Sequence, residues 1–592
     1  MDVADFVVER IADWGVDRIY GYPGDGINGV VGAIQHRKNR PRFIQTRHEE
    51  AAALMACAEA KWTGHAGICL ATSGPGAIHL LNGLYDAKLD HQPVVAIVGQ
   101  QSRMSLGGAY MQEVDLQSLF KDVASEFVAT IVVPEQARHV IDRAFRTALS
   151  QRTVTCIIVP NDVQRLEAVE EPPKRHGALF SGIGYAAPRA VPRDEQLQEA
   201  ASLLNDGDRP AILVGQGALD ATDEILETAE LLGAGIAKAL LGKAVVPDDL
   251  PFVTGAMGMV GTRPSWRLMS ECDTLLIVGS SFPYAEFLPQ ERHVPAVQID
   301  IDPRLIGLRY PARAVLVGDS RDTLRLLNPL LVRKADRSWR QRIEGWVRES
   351  WETVEDAVKL PADPVNPELV VWELSRRLPD GAIVSADSGS IAAWFARDLR
   401  LRRGMMASLS GNLATVGNGV PYAIAAKFTH PDRPAFALVG DGSMQMLGMS
   451  ELLTIGRHWR EWHDPRLIIL VLHNNDLNLV TWEQRVFEGD PKFVASQELP
   501  DVNYARFAEL AGLRGIRIER PGDVAGAWDA ALSADRPVVV DALTDPDIPP
   551  LPVHISFEQA RNFLAAVAKG DPDAPEVLQK SLAATLRELV PH

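Results

Sequence analysis

The stretch from Phe436 to Asn475 leaves few folds open. An apolar run, Phe436-Ala437-Leu438-Val439, enters Gly440-Asp441-Gly442-Ser443. Helical periodicity follows from Met449 to Trp459, and a second apolar run, Leu467 to Leu472, ends on His473-Asn474-Asn475. The pattern predicts strand, glycine-rich turn, helix and strand, with polar oxygen groups at both strand ends. Continuous apolar strands of this kind belong to parallel sheets covered on both faces, whose ligands bind beyond the carboxyl ends of the strands. Asp441 offers a carboxylate, and Asn474 or Asn475 a carboxamide oxygen. Hard oxygen ligands suit Mg²⁺, whose octahedral shell is usually completed by phosphates of a substrate or cofactor. Gly440 and Gly442 would let the backbone approach such a phosphate. Taken alone, the tetrapeptide reads equally well as a tight βα turn with a capping acid.

The rest of the chain repeats the alternation. With 592 residues it is long enough for about three or four domains. In residues 1–165, apolar runs end in small polar turns: Arg18 to Gly21 before Tyr22-Pro23-Gly24, Gly67 to Ala71 before Thr72-Ser73-Gly74-Pro75, and Val94 to Val98 before Gly99-Gln100. A Pro/Gly/Ala-rich run over 166–192 reads as a linker. A second α/β block spans 193–335, and a charged helical stretch, Ser338 to Val358, leads to a second linker at Pro361-Ala362-Asp363-Pro364. The third block, 366–545, holds the opening stretch, and 546–592 forms a tail with Pro549-Pro550-Leu551-Pro552 and two helices, about Ser556 to Ala568 and Ala574 to Leu589. The expected fold class is therefore α/β, with three doubly wound parallel-sheet domains. A net charge of −17 argues against a nucleic-acid partner, which needs a basic footprint. Cys57, Cys69, Cys156 and Cys272 form no metal-ligand spacing and suit a reducing compartment. No basic-then-apolar leader opens the sequence and no run reaches a membrane span's length, so a cytoplasmic protein is expected. In the tail, Leu578, Leu582, Leu586 and Leu589 share a helical face that reads as a packing face rather than a membrane-binding one.

Arg47-His48-Glu49-Glu50 places acids at the start of an Ala-rich helix, a position that by itself suits the helix dipole. Together with the GDG…NN stretch, however, it resembles the thiamine diphosphate (ThDP) enzymes, in the branch that holds pyruvate oxidases and acetolactate synthases. Further matches are Tyr20 to Gly24, Ser73 to Gly76 with His79, Asn82 to Ala87, Asp90 to Val94, Gln112-Glu113, Gln298 to Pro303 and Gly411 to Pro421. The resemblance implies that Asp441, Asn474 and the backbone carbonyl of Asp476 hold Mg²⁺. His473 then stands for the first Asn of the motif, whereas a literal reading of the Asn pair would choose Asn475. Asn474 lies 33 positions after Asp441, a longer span than usual, with the excess in Arg460 to Arg466. Glu49 is implied as the carboxylate that bonds N1′ of the aminopyrimidine and so promotes proton removal from thiazolium C2. Ala414 would accept from the 4′-amino group and Val416 would wedge the cofactor into its bent shape. Pro23, Gly24, Thr72, Pro75, Asn82, Gly440, Gly442 and Ser443 complete the implied ThDP contacts.

For flavin, Gly215, Gly217, Gly261, Thr262, Gly279, Asp300 and Asp319 fall at positions that line FAD in relatives, although Val214-Gly215-Gln216-Gly217 lacks a complete dinucleotide fingerprint. A Rossmann-like domain that no longer binds flavin is the alternative. The resemblance implies oxidative decarboxylation of a 2-oxo acid, pyruvate first, with FAD taking two electrons; Gln112 and Glu483 stand near the reaction centre. Met111 replaces the Phe that oxidases usually carry before Gln112-Glu113, and Leu479 occupies a position held by Trp or Met in relatives. The other readings are an acetolactate synthase-like carboligase with structural FAD and a non-catalytic scaffold or regulator. The family also implies self-association, at least a homodimer and more often a homotetramer, with the first domain of one chain facing the third domain of another.

Overall fold

The computed structural model describes residues 1–290, 293–550 and 556–589, with side chains up to Ser581. Three six-stranded sheets, parallel throughout, follow one another along the chain. The first contains β1 (Arg18–Gly21), β2 (Arg42–Gln45), β3 (Gly67–Ala71), β4 (Val94–Gln100), β5 (Val128–Thr130) and β6 (Val154–Pro160), in the order 2-1-3-4-6-5. The second contains β7 (Pro210–Val214), β8 (Gly235–Lys238), β9 (Val253–Ala256), β10 (Thr274–Val278), β11 (Ala296–Asp300) and β12 (Ala314–Val317), in the order 12-11-10-7-8-9. The third contains β13 (Ile383–Ala386), β14 (Met406–Ser408), β15 (Ala435–Gly440), β16 (Leu467–His473), β17 (Arg514–Ile518) and β18 (Val538–Leu543), in the order 14-13-15-16-18-17. The first and third sheets thus share one strand order. The chain reverses direction across each sheet between β1 and β3, between β7 and β10, and between β13 and β15, and such switch points open crevices for ligands.

The central strands are buried on both faces, as their unbroken apolar runs require. The helix Glu49–Thr63 opens at His48, which is extended (φ −148°) and accepts the Glu50 N–H on Nδ1 at 3.1 Å; it closes at Gly64 in the left-handed region (φ +73°). This helix packs on Gly419–Thr429 of the third unit. Ala51, Ala52 and Ala56 from one and Ala423, Ala425 and Ala426 from the other are buried in a single hydrophobic cluster, and small side chains bring helix axes close.

One element departs from the expectation. Gly440-Asp441-Gly442-Ser443 is not a turn preceding a helix at Met449. Only Gly440 is extended (φ −91°, ψ 166°); the helix starts at Asp441 and continues to His458 through a wider-wound turn, Met444–Gly448, in which the Met449 N–H reaches back to the Met444 carbonyl. A side chain at Gly448 would meet Met444 Sδ at 2.7 Å, so glycine there admits the extra residue in the turn.

Between 168 and 193 no helix or strand forms. The tail helices Phe557–Ala568 and Ala574–Leu589 lie on the third unit. Phe563 stacks on Trp482, Asp571 and Asp573 grip Arg485, and Lys580 pairs with Asp545 at 2.6 Å. Leu551 and Pro552 of the predicted proline run lie outside the described residues, as do the side chains of Leu582, Leu586 and Leu589. No helix among the described residues is long and apolar enough to cross a membrane.

Candidate active site

A cavity of about 110 Å³ lies beyond β13, β15 and β16, room for a ligand the size of several waters. Ser388, Gly389 and Ser390 line it after β13, Gly440 to Ser443 after β15, and Asn474, Asp476 and Leu477 after β16, with Val416 and Leu479 at its sides. Asp441 is buried, and its carboxylate accepts the N–H groups of Asn474 at 2.9 Å, Asn475 at 2.6 Å and Gly442 at 2.9 Å. Burial still pushes its carboxyl up to about 6. The three backbone donors and the nearby His473 do not offset the desolvation of the charged form, and a metal cation would favour that form further. Nothing stands within 4 Å of where a Gly440 side chain would begin, whereas Gly442 is held bare by Leu477 Cδ2 at 2.8 Å. The cavity therefore fits a cation with a bulky anionic group over Gly440.

The two asparagines face different ways. Asn474 lines the cavity, and among the described residues its Oδ1 accepts only the Asp476 N–H, at 3.1 Å. Asn475 is left-handed (φ +56°), and its Oδ1 accepts from His473 Nε2 at 2.7 Å. His473 also donates from Nδ1 to Asp541 at 2.8 Å. Burial opposes charge on this imidazole, but Asp541 and Asn475 raise its pKa on balance. The Asp476 carboxylate is engaged by Thr481 Oγ1 at 2.9 Å and by Lys492 at 3.4 Å, which leaves its backbone carbonyl as the group available for a ligand.

The sequence reading missed Asp387 to Ser390, although a small polar turn after the apolar strand Ile383 to Ala386 was a signal of the same kind as the others. Asp387 is fully buried. It accepts the N–H groups of Gly417 and Gly419 at 2.9 and 2.7 Å and the Ser443 hydroxyl at 2.5 Å, and so ties the Gly440–Ser443 turn to the loop that carries Ala414 and Val416. Ala414 is a non-glycine residue at φ +53°, a strained geometry that persists only where the surroundings hold it. Here they do, because the Thr415 N–H bonds Ser410 Oγ at 3.0 Å and the Gly411 and Asn412 N–H groups both bond Asp90 at 2.9 Å.

The first unit gathers a second group around Thr72. Gly24 lies against its side chain, 2.6 Å from a would-be Cβ to Thr72 Cβ, and the Gly26 N–H bonds Thr72 Oγ1 at 3.0 Å. Pro23 precedes this contact, and Pro75 opens the short helix Pro75–His79. Glu49 is buried, and its carboxylate lies 3.0 Å from His79 Nδ1 and beside Gly76. Gln112 (φ +61°) leans on Ser73 and Gly74 from the other side. Asn82 donates to Glu50 at 2.6 Å and to Thr415 at 2.7 Å, so its carboxamide bridges the first and third units. None of these first-unit residues lines the third-unit cavity of the same chain. Glu483 sits half-buried one turn after Leu479 and Val480. Burial pushes its carboxyl up, and among the described residues no partner bonds it.

In the middle unit the predicted residues gather at the β7/β10 switch point and the neighbouring strand ends. Gly215 and Gly217 pack backbone to backbone on Gly279 (φ +57°), with the Gly217 N–H on the Gly279 carbonyl at 3.0 Å. Gly261 is closed in by the Gly258 and Ala256 carbonyls, and the Thr262 hydroxyl donates to the Thr254 carbonyl at 2.6 Å. Asp319 caps the helix Ser320–Leu327. Asp300, at the end of β11, is buried, which raises its pKa despite the Asp302 N–H at 3.0 Å. These glycines and caps have structural work independent of any ligand.

Comparison with known proteins assigns the three units to one family. Family models described as the N-terminal TPP binding, central and C-terminal TPP binding domains of thiamine pyrophosphate enzymes match residues 1–119, 197–327 and 387–542. The chain belongs to the thiamine pyrophosphate enzyme family. YdaP of Bacillus subtilis (strain 168), whose name describes a thiamine pyrophosphate-containing protein, is 38% identical over 98% of this chain and 98% of its own. Pyruvate oxidase of Lactiplantibacillus plantarum is 29% identical over 92% of this chain and 88% of its own. The acetolactate synthase isozyme 2 large subunit of Escherichia coli (strain K12) is 29% identical over 98% of this chain and 100% of its own. This thiamine pyrophosphate enzyme therefore stands in the pyruvate oxidase and acetolactate synthase branch, whose enzymes decarboxylate 2-oxo acids or join carbon units from them.

Proposed function

We propose that this chain catalyses the Mg²⁺- and ThDP-dependent oxidative decarboxylation of a small 2-oxo acid, pyruvate first, with FAD as the electron acceptor. The observation that carries the reading is the third-unit cavity, where burial keeps the Asp441 carboxyl raised to about 6 and Gly440 leaves room for phosphate. Asp441, Asn474 and the Asp476 carbonyl would hold Mg²⁺ and through it the diphosphate. When bound, ThDP supplies the electron sink that lets CO₂ leave a 2-oxo acid.

The chain's own residues orient and protonate. Glu49, buried beside His79, would hold a proton at aminopyrimidine N1′. Val416 would press on the cofactor from the cavity wall, and Ala414, held at φ +53°, would offer its backbone carbonyl to the 4′-amino group. Glu49 is absent from its own chain's cavity, which favours a homodimer or homotetramer with the first unit of one chain closing the third-unit cavity of another. Gln112 would come to that site with Glu49, since both border the Ser73–Gly76 turn. The unpartnered Glu483 carboxyl beside Leu479 and Val480 would hold a second proton near the substrate. FAD would lie across the β7/β10 switch point with Asp300 at its ribose.

The test is the visible spectrum of the purified protein, followed anaerobically as Mg²⁺, ThDP and pyruvate are added. Bleaching of a flavin band is the expected result. A flavin band that stays oxidised while CO₂ appears would assign carboligation or simple decarboxylation instead. A protein that shows no flavin even after FAD is added would end the oxidase reading.

A further inference from the structure

Asp90 stands where all three units meet. It follows the helix Leu81–Leu89 of the first unit and is fully buried. Its carboxylate accepts the backbone N–H groups of Gly411 and Asn412 and the Asn412 side-chain amide, each at 2.9 Å, from the third unit. Lys61 neutralises it at 2.7 Å and bonds the Leu409 carbonyl at 2.6 Å. Burial opposes charge on that ammonium, but Asp90 outweighs it and raises its pKa. The carbonyl of the same residue accepts from Gln92 at 2.6 Å and from Gln216 of the middle unit at 3.0 Å. Gln216 lies between Gly215 and Gly217 at the β7/β10 switch point. The neighbouring His91 (φ +54°) is close enough to Asp300 and Asp302 to feel their charge. Gly411 is also pressed by the middle unit, since a Cβ there would meet Leu241 Cγ at 2.4 Å. One residue therefore touches the loop after β7 with its carbonyl and the loop entering Ala414 and Val416 with its carboxylate.

We propose that Asp90 is a positioning residue that couples the two cofactor crevices. Through Gln216 it senses the Gly215–Gly217 loop, and through Gly411 and Asn412 it sets the strained Ala414–Val416 loop. The inference rests on the reading of those loops as flavin and aminopyrimidine contacts. Ordering of the middle-unit loop by a flavin would hold Gln216 on Asp90, so the third-unit loop would enter ThDP binding already set. By linkage each cofactor would tighten the other by the same factor. Replacing Asp90 would strand the Lys61 ammonium in the interior, so the test alters the two ends instead. Gln216→Ala removes the middle-unit contact, and Asn412→Ala weakens the third-unit one.

ThDP is titrated into the apo-protein in excess Mg²⁺, with and without saturating FAD, and followed by quenching of tryptophan emission, Trp394 lining the cavity. In the unmodified protein FAD should lower the ThDP Kd by about five-fold or more, the lower end of ordinary site–site coupling. Gln216→Ala should bring that ratio close to one, and Asn412→Ala, which keeps the two backbone donors on Asp90, should lower it part of the way. A purely structural role would shift both Kd values and leave their ratio as it was, and that result overturns the proposal. So does a ratio of one in the unmodified protein when both cofactors bind. Failure of FAD to bind at all overturns the flavin reading and the coupling together, which separates it from a failure of the coupling alone.

Discussion

At the scale of single residues, the site is a set of polar atoms whose roles depend on where a neighbour points them. Asn474 and Asn475 are chemically identical and adjacent, yet His473 Nε2 holds the second one at 2.7 Å while the first lines the cavity. Asn474→Ala should weaken Mg²⁺ binding by about ten-fold or more, the size usual for lost metal-site groups. Asn475→Gly, which keeps the left-handed backbone free of strain, should leave it nearly unchanged. Mn²⁺ binding followed by electron paramagnetic resonance gives both values, and the opposite order would make Asn475 the ligand. Glu49, Asp441 and Asn474 could be singled out in the sequence because each stands at a strand end or helix start, but the roles proposed for them came from the family resemblance, since each local pattern alone reads as a capped turn or a dipole acid. Asp387 stands at such a place too, but its work is to bond Gly417, Gly419 and Ser443, which are thirty or more positions away, and no local pattern announces those partners.

At the scale of elements, the helix from Asp441 to His458 links the cavity to the carboxylate-bearing helix of the first unit. Its Glu451, fully buried, accepts the Arg47 N–H at 2.7 Å and the Thr454 hydroxyl at 2.7 Å, and so grips the chain two residues before Glu49. Burial pushes the Glu451 carboxyl up to about 7 from its ordinary 4.5, against the pull of Thr454 and Arg47. A raised carboxyl means that the folded state binds the proton more tightly than the unfolded state. The resulting stability is present in full below about pH 4.5 and is lost as pH rises through 7. Glu451→Gln removes that dependence. Its thermal midpoint should therefore gain on the parent protein between pH 5 and pH 8, by the equivalent of up to about 3 kcal/mol. A gap of the same size at both pH values would contradict the assignment. Strand positions were legible because apolar runs bounded by small residues mark them. The early start of this helix was not, since Gly440 to Ser443 has the composition of a turn, and the bonds that hold it, from the Asn474 and Asn475 N–H groups to Asp441 and from Ser443 to Asp387, come from distant parts of the chain.

At the scale of the whole molecule, the middle and third units are locked by Lys243, which bonds Asp248 and the Ala396 carbonyl, and by Asp248 on the Leu401 N–H. The first and third units share one core through the paired alanine-rich helices. Glu49 is not among the residues that line the Asp441 cavity of its own chain. If the site forms between subunits, Glu49→Gln and Asp441→Ala proteins, each inactive alone, should regain activity when unfolded and refolded together. Half of the resulting dimers would be hybrids with one intact site of two, so roughly a quarter of the parent activity is expected. No recovery would place both residues of a working site on one chain. The amino-acid order alone settled three parallel α/β units and their strand ends, because strand and helix periodicity and turn chemistry act over a few residues; the roles of the acid and amide groups at those ends came from the family resemblance. Which hydroxyls and carboxylates are already engaged, as Thr262 and Asp319 are, which asparagine faces the cavity, and how Asp90 comes to touch three units were decided only by tertiary packing. Those contacts join residues tens to hundreds of positions apart, and their geometry exists only once the sheets and helices have been brought together.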